Sequence, residues 1–439
     1  YFYSMNKIRF WSITVSLAGF LFGFDVVVIS GADKTLQQLW GTSNVFHGFV
    51  VMASALWGTV IGAMFGGIPA NNYGRKKTLI GIGVLFFVSS ICSAVVNDPY
   101  TFAFFRFIGG LGIGASTIAA PAYISEIAPA LKRGRLVAMY QLSIVTGILI
   151  AFLSNYLLTN TGDNAWRWML GVAAFPSFIY TVAMFLLPES PRWLAIKGRV
   201  VEAGKILKMI DPVADVKSIV AEVQVENITR HENIFMKKYK PVFMLAFFVA
   251  FFNQFSGINA VLYYAPRIFE EAGLGNSSAM LSSVGIGVIN VIFTLIGMSL
   301  IDRSGRKQLM YIGSLGYIIS LALVSLSFFF NWGGSAVPVF LFVFIAAHAI
   351  GQGTVIWVFI AEIFPTHLRA SGQAFGSSVH WVLAASIPSL IPFLFSEVGA
   401  GIVFAFFAFM MILQFLWVKY KMPETKGRTL EEVSRGLIQ

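Results

Sequence analysis

The sequence predicts an all-α membrane protein with twelve transmembrane helices arranged as two pseudo-symmetric six-helix bundles. Three features support this prediction: the composition, the number of long apolar segments and an internal repeat. The 439 residues are 57% hydrophobic and only 12% charged, with a mean hydropathy of +0.76. Soluble domains are about 25% charged, so lipid must be the solvent for most of this surface.

The apolar segments are long enough to cross a bilayer as helices. A helix needs roughly 20 mainly apolar residues to span about 30 Å of hydrocarbon, and only helices or closed barrels satisfy their backbone there. Barrel strands would alternate apolar and polar residues, whereas these segments are apolar on all faces and rich in glycine. We place the spans at residues 8–30, 48–70, 78–97, 101–126, 136–159, 166–188, 240–270, 280–302, 308–330, 336–362, 371–396 and 399–421.

A single long polar segment separates the first six spans from the last six. Glu202, Lys205 and Lys208 within it have the spacing of short amphipathic helices on the intracellular side. The predicted organisation is an N-terminal bundle at 1–191, a cytoplasmic linker at 192–239, a C-terminal bundle at 240–421 and a cytoplasmic tail at 422–439.

The basic residues predict the orientation of the chain in the membrane. If both termini are cytoplasmic, all of the 31 Lys and Arg residues except Lys34, Arg106, Arg167 and Arg267 fall in cytoplasmic segments, as the positive-inside rule requires. The net charge of +11 is thereby explained by topology, so it does not indicate a nucleic-acid partner.

An internal repeat relates the two halves. Glu126 and Arg133 belong to a Glu-Ile-x-Pro-x-x-x-Arg motif that recurs 236 residues later with Glu362 and Arg369. A Gly-Arg-Lys loop after the second span recurs after the eighth, and a Pro-Glu pair after the sixth recurs after the twelfth. Such repeats place a binding site between the halves near the midplane and suit alternating access.

Several motifs occur in a fixed order along the chain. They are Gly23-Phe24-Asp25 with Ser30-Gly31, the two Gly-Arg-Lys loops, Arg106, Pro188-Glu189-Ser190-Pro191-Arg192, Gln254-Phe255-Ser256-Gly257-Ile258-Asn259 and Pro423-Glu424-Thr425-Lys426-Gly427.

With these motifs the chain resembles the sugar porter family of the major facilitator superfamily over its whole length, and within it bacterial proton-coupled porters of xylose, galactose or glucose. The resemblance implies the major facilitator fold and transport of a monosaccharide, a hexose or a pentose. Four places depart from the family pattern: Asn71-Asn72 replaces an acid and Arg, Thr354 a Pro, Asn253 a Gln, and His380 an amide.

Asp25 and Arg106 are the predicted proton-coupling residues. An ionisable group at membrane depth costs about 2.5 to 3.5 kcal/mol on insertion scales, so it needs a partner or a function. From Arg9, a rise of 1.5 Å per residue puts Asp25 roughly 6 Å below the outer edge of the hydrocarbon, and Arg106 lies roughly 9 Å below the same edge. A static structural pair is the alternative to a protonation switch. The resemblance adds that proton-coupled sugar porters tend to have Asp at this position.

The predicted sugar site combines amides with aromatic rings, because a sugar presents hydroxyls and apolar C–H faces. Each amide could instead form an ordinary interhelical hydrogen bond, and His380 could be a packed neutral histidine. The candidates from residue chemistry are Gln141, Gln254, Asn259, Asn290, Trp357, Trp381 and, secondarily, His380. The resemblance supports these positions and adds Phe22 and Tyr263 as contacts and Tyr264 as an outer closure. Gly257 and Gly353 are predicted to permit helix breaks at the site.

Charged residues on the cytoplasmic side are predicted to form a latch that opens in each cycle, since surface ion pairs are individually weak. Ordinary helix-end charges are the alternative. The latch candidates are Arg75, Glu126, Arg133, Glu189, Arg192, Arg303, Arg306, Glu362, Arg369 and Glu424.

Other functions receive less support from the sequence. Facilitated sugar diffusion without protons stays open as the runner-up, and a sensor built on a transporter fold is a remote alternative. No nucleophile motif or His pair with zinc spacing is present in the sequence, so we expect no enzyme activity, no cofactor and no metal. The expected partners are the sugar, protons and the bilayer, and the expected state is a monomer. The stretch Gly110-x-Gly112-x-x-Ala115 resembles a dinucleotide fingerprint but lies in an apolar helix, where small residues promote helix packing.

Overall fold

The computed structural model describes residues 2–129, 132–211, 215–216, 237–365, 368–428, 432–433 and 436–437. Within these ranges every regular element is helical. Eleven helices are long and apolar enough to cross a membrane, and one bent helix pair makes up to twelve. The predicted twelve-helix fold class is therefore confirmed, with span ends that differ from the predicted ones by a few residues.

The first half begins with a long helix and a short 3-10 turn, Ile29–Gly31. Its second span is bent by 43° between Asn44–Met52 and Ser54–Phe65. The helices of this half are α1 (Phe2–Val28), α2 (Asp33–Trp40), α3 (Asn44–Phe46, continued by a π turn at His47–Met52), α4 (Ser54–Phe65), α5 (Gly67–Tyr73), α6 (Arg75–Val95), α7 (Pro99–Ile127), α8 (Arg133–Leu158), α9 (Ala165–Gly171) and α10 (Ala174–Phe185).

Two short helices follow in the predicted linker, α11 (Pro191–Ile196) and α12 (Val200–Ile210). Ser190 caps α11 by accepting a hydrogen bond from the Trp193 N–H at 3.1 Å, and Pro191 fits the first helical position, where no donor is needed. Residues 217–236 of the predicted linker lie outside the described residues.

The second half repeats the pattern of the first. Its helices are α13 (Lys240–Phe255), α14 (Ile258–Glu271), α15 (Asn276–Ser304), α16 (Arg306–Phe329), α17 (Ala336–Ile350), α18 (Gln352–Ile363), α19 (Arg369–Glu397) and α20 (Ala400–Tyr420).

Two spans of the second half are broken near their middle. Gly257 separates α13 from α14 with a φ of +83°, a conformation that residues with a side chain rarely adopt. The second break lies at Gly351, with φ −86° and ψ −100°, so its predicted position at Gly353 was wrong. A Cβ on Gly351 would lie 2.9 Å from the Gly313 Cα. The close approach of α16 thus requires a glycine at 351.

Small residues bring α4 and α7 into backbone contact. A Cβ on Gly110 would lie 1.9 Å from the Ala55 carbonyl oxygen, and one on Gly58 would lie 2.1 Å from that of Phe107. The prediction that this glycine-rich stretch serves helix packing is confirmed.

The halves meet most closely at the face where α1 and α14 end, which we call the outer face. Here α14 packs against Ile29–Gly31, and α19 packs against α4 and the His47–Met52 turn. The opposite, inner face carries the starts of α6 and α16 with their basic loops. Contacts between the halves thus close the outer face.

Candidate functional site

A buried ion pair joins α1 and α7 in the first half. Arg106 Nη1 donates to Asp25 Oδ1 at 2.5 Å, and Nη2 donates to the backbone oxygen of Asp25 at 2.9 Å. The side chains are only 1% and 3% exposed. The predicted pairing of these two residues is confirmed.

The two oxygens of this carboxylate have different surroundings. Asp25 Oδ2 is buried, and no hydrogen-bond partner is found for it among the described residues. The buried hydroxyl of Tyr263, on α14 of the other half, interacts electrostatically with both Arg106 and Asp25 and is likewise without a hydrogen-bond partner in the described part of the chain. A change of charge at Asp25 would therefore change the electrostatic interaction between Asp25 and Tyr263 of α14.

An amide cluster surrounds the break after α13. Gln254 accepts a hydrogen bond from Asn259 at 2.7 Å and donates to Asn253 Oδ1 at 2.8 Å. Its amide nitrogen also lies 3.2 and 3.3 Å from the two ring nitrogens of His380. The orientation of the Gln254 amide is thus set by the hydrogen bonds of its oxygen and of its nitrogen. His380 can adapt to this amide, because the donor and acceptor roles of its ring nitrogens depend on the tautomer.

Aromatic rings extend this cluster towards the first half. The ring centroid of His380 lies 5.0 Å from that of Trp357 and 5.0 Å from that of Trp381. Trp381 in turn lies 5.5 Å from Phe22 of α1, and its buried indole N–H is without a hydrogen-bond partner among the described residues. The cluster combines apolar plates with hydrogen-bonding groups, as sugar recognition requires.

Not every predicted sugar residue joins the cluster through a described contact. Gln141 lies half-buried on α8 and Asn290 is buried on α15, two helices that pack together. Gly353 adjoins the ring of His348, which a Cβ would approach to 3.2 Å. Tyr264 is fully buried and donates to the Pro388 carbonyl at 3.0 Å, so it ties α14 to α19.

The candidate set omitted Asn253, which the sequence shows only as a departure from the family pattern and which is buried beside Gln254. His348 was also omitted. Its Nδ1 lies 2.5 Å from the hydroxyl of Tyr317, whose side chain lies near that of Ser256. These groups link the breaks of the seventh and tenth spans. Only the polarity of a histidine in an apolar span could have indicated this.

On the inner face of the first half, Glu126 holds the start of α6. Arg75 Nη2 donates to its Oε1 at 2.9 Å and Arg75 Nε to its Oε2 at 3.1 Å, and Ser190 Oγ also donates to Oε2. Glu189 accepts from the Lys76 backbone N–H at 3.0 Å.

The second half repeats this arrangement at the start of α16. Arg306 donates to Glu362 at 2.6 and 3.0 Å, and Thr425 donates to the same carboxylate at 2.6 Å. Glu424 accepts from the Arg306 and Lys307 backbone N–H groups at 3.0 and 2.9 Å. The sequence repeat therefore corresponds to a repeated hydrogen-bond network.

Burial alone would raise the pKa of Glu424, but four backbone N–H donors outweigh it, so the net pKa lies below its usual value of 4.5. Glu424 is therefore a carboxylate at neutral pH and stabilises the positive start of α16.

The remaining latch candidates make fewer described contacts. Arg133 and Arg303 are exposed, and the Arg303 carbonyl accepts a hydrogen bond from Lys426. Arg192 and Arg369 are half-buried. The Arg75–Glu126 and Arg306–Glu362 pairs each lie within one half, where they brace a bundle.

Comparison with known proteins gives consistent matches over almost the whole chain. The sequence model of a family described as "Sugar (and other) transporter" matches residues 11–437. The arabinose-proton symporter of Bacillus subtilis is 36% identical over 100% of this chain and 96% of its own. The D-xylose-proton symporter of Escherichia coli K12 is 32% identical over 98% of this chain and 96% of its own.

Solved structures agree in fold. The partially occluded inward-open form of the xylose transporter XylE from E. coli superposes with a TM-score of 0.87 at 30% identity, covering 97% of this chain and 100% of that one. The proton:xylose symporter bound to 6-bromo-6-deoxy-D-glucose gives 0.83 at 30% identity, covering 99% and 100%.

Proposed function

Because this chain belongs to the sugar transporter family, as the match over residues 11–437 establishes, we propose that it carries a monosaccharide across the membrane together with a proton. Relatives at 36% and 32% identity are described as arabinose-proton and D-xylose-proton symporters. The observation that carries the proton part of the proposal is the buried Asp25–Arg106 pair, in which one carboxylate oxygen has no hydrogen-bond partner within the described part of the chain.

The proton is proposed to bind Asp25 at Oδ2. Protonation removes the negative charge that faces Arg106, while Arg106 keeps its bond to the Asp25 backbone oxygen. The guanidinium then loses its charged partner in a region of low dielectric constant, which is costly. Movement of α14, whose Tyr263 interacts with both groups, relieves this cost by changing the surroundings of Arg106.

The sugar is proposed to bind between the halves, against the amide and aromatic cluster. Gln254 and Asn259 provide donors and acceptors, and Trp357, Trp381 and Phe22 provide apolar faces. Gln141 and Asn290 are proposed to complete the site from α8 and α15. The breaks around Gly257 and Gly351 allow α14 and α18 to move without unfolding their spans.

The bundles at 1–191 and 240–421 are proposed to rock as units about this site, joined by the cytoplasmic linker at 192–239 and followed by the tail at 422–439. The inner-face networks keep each bundle rigid. Both termini are proposed to be cytoplasmic, because nearly all basic residues then lie inside. A monomer suffices for this cycle, since both halves of the site come from one chain.

Uptake into proteoliposomes tests the proton step. Wild-type protein is expected to accumulate labelled xylose, arabinose, galactose or glucose when the outside is acidic, and Asp25→Asn is expected to lose this accumulation. Exchange of labelled for unlabelled sugar should persist in the variant, because exchange needs no net proton movement.

Asp163→Asn is the matched control, since Asp163 lies exposed in the loop after α8. Undiminished accumulation by Asp25→Asn would contradict the proposed proton site. Sugar entry in the wild type with no response to the pH gradient would establish the facilitative alternative.

A further inference from the structure

A second charged cluster lies on the outer face, outside the sugar and proton sites. Arg267 of α14 donates to Asp33 of α2 through Nε at 2.6 Å and through Nη2 at 2.9 Å. Their side chains are 8% and 2% exposed. This bidentate pair joins the two halves.

His47 shares the same carboxylate. Its Nε2 lies 2.7 Å from Asp33 Oδ1, the oxygen that also accepts from Arg267 Nη2. His47 is completely buried at the start of the bent second span. Asp33 and His47 belong to the first half, so they move together, whereas Arg267 belongs to the second half.

Other charges near this cluster are few. Lys34 pairs with Glu270 at 2.5 Å across the same junction, and Glu271 interacts electrostatically with Arg267, Lys34 and Asp33. Among helices packed against the His47 turn, α7 is capped by the exposed Asp98 and α19 ends at the exposed Glu397. Arg267 thus shares the Asp33 carboxylate with His47, whereas Lys34 pairs with Glu270.

We propose that Asp33 and Arg267 form an outer latch that holds the two halves closed, and that a proton on His47 releases it. An imidazolium adjacent to Arg267 brings two cations onto one carboxylate oxygen, which disfavours the closed state. Opening separates Arg267 from this charge, while Asp33 stays with His47. An acidic exterior would thereby favour the conformation that takes up sugar and proton from outside.

These are positioning residues for the proposed transport cycle, on which this inference rests. Arg267 lies four residues beyond Tyr263 on α14, past a kink at Tyr264, so release of the latch frees the same segment that carries Tyr263 beside Asp25. The outer pH would thus act twice on one helix: through Asp25 at the proton site and through His47 at the latch.

Distance measurement by spin labelling tests the latch without requiring transport. Cys92 is the single cysteine, so Cys92→Ser provides a background for labels at Asp163→Cys and Ser335→Cys. Both residues are exposed in outer-face loops of opposite halves. The ratio of the long to the short distance between these labels reports outer opening.

Asp33→Asn and Arg267→Gln are each expected to raise this ratio about ten-fold or more, because a single buried charge left behind disfavours closure. The double variant should open less than either single variant, since no buried charge is then left unpaired. Lys34→Gln is the matched control, and little change is expected because Lys34 is 40% exposed and ion pairs near the surface are weak. Wild-type distances in both single variants would overturn the latch.

The role of His47 is measured in the Asp25→Asn background, which removes the pH response of the proton site. Opening is expected to increase when the pH is lowered from neutral to mildly acidic, because an imidazolium at His47 would share Asp33 Oδ1 with Arg267. His47→Gln keeps a donor and should abolish this increase. A pH response that survives His47→Gln would overturn the proton-release step. Because the readout is a distance, these outcomes stay separate from any failure of the sugar–proton coupling proposal.

Discussion

Gln254 is the residue through which the sugar site can be tested most directly. Its amide is oriented by Asn253 and Asn259 before any sugar arrives. Such preorganisation lowers the entropy cost of sugar binding. Loss of this amide should therefore weaken sugar binding by more than the loss of an amide on a flexible side chain would.

We expect Gln254→Ala to raise the KM for sugar about ten-fold, because a hydrogen bond lost from a buried site costs roughly 1–2 kcal/mol. Uptake kinetics in proteoliposomes measure this change. Asn155→Ala is the control, since Asn155 is a buried amide that bonds the Val28 carbonyl at 3.0 Å near the outer end of α1. A KM unchanged in Gln254→Ala would contradict its role in the site.

Residue chemistry and depth were enough to predict the Asp25–Arg106 pair, because a charge in lipid needs a partner and these two reach the same level. The outer cluster was not predicted. Asp33 and His47 lie near span ends, where charge is ordinary, and Arg267 was one of four basic residues placed away from the inner face. His47 and Arg267 share an oxygen of Asp33 because α2 is positioned between the second span and α14. No local sequence pattern predicts that position of α2.

At the scale of the element, hydropathy predicted every span, but not the residue at which a span breaks. Gly257 lies at its predicted break because the left-handed backbone needs a glycine. Gly351 was missed because its reason is the proximity of Gly313 on another helix. Long-range contacts of this kind are not visible in a single segment.

The contact between α4 and α7 gives a prediction at this scale. Gly110→Ala should lower the melting temperature in detergent, because its Cβ would meet the Ala55 carbonyl at 1.9 Å and overpacking costs typically about 1–3 kcal/mol. Gly81→Ala is the matched control in a neighbouring helix, since no atom lies within 4 Å of its added Cβ. Equal melting of both variants would show that the helices tolerate separation.

At the scale of the whole molecule, the repeated inner-face network predicts equal roles for the two halves. Glu126→Gln and Glu362→Gln should each lower the maximal uptake rate about five- to ten-fold while leaving sugar affinity unchanged, since each removes charge-assisted hydrogen bonds that brace a bundle. The measurement is uptake at saturating and limiting sugar.

Glu202→Gln is the control, because Glu202 pairs with Arg199 on the exposed surface of α12. A normal rate in Glu362→Gln beside a slow Glu126→Gln would indicate that the two networks are alike in geometry and unequal in function.

Glu189 and Glu424 have a consequence for the order of assembly. Each carboxylate comes from the end of the sixth span of its half and fastens onto the start of that half's third span, 113 residues earlier for Glu189 and Lys76 and 117 for Glu424 and Lys307. In neither half can this hydrogen bond form until the sixth span has been synthesised. Since the first bundle precedes the second along the chain, its Glu189 contact can form before the second bundle is made. In each bundle the carboxylate that fixes the third span is supplied by the last part to be synthesised.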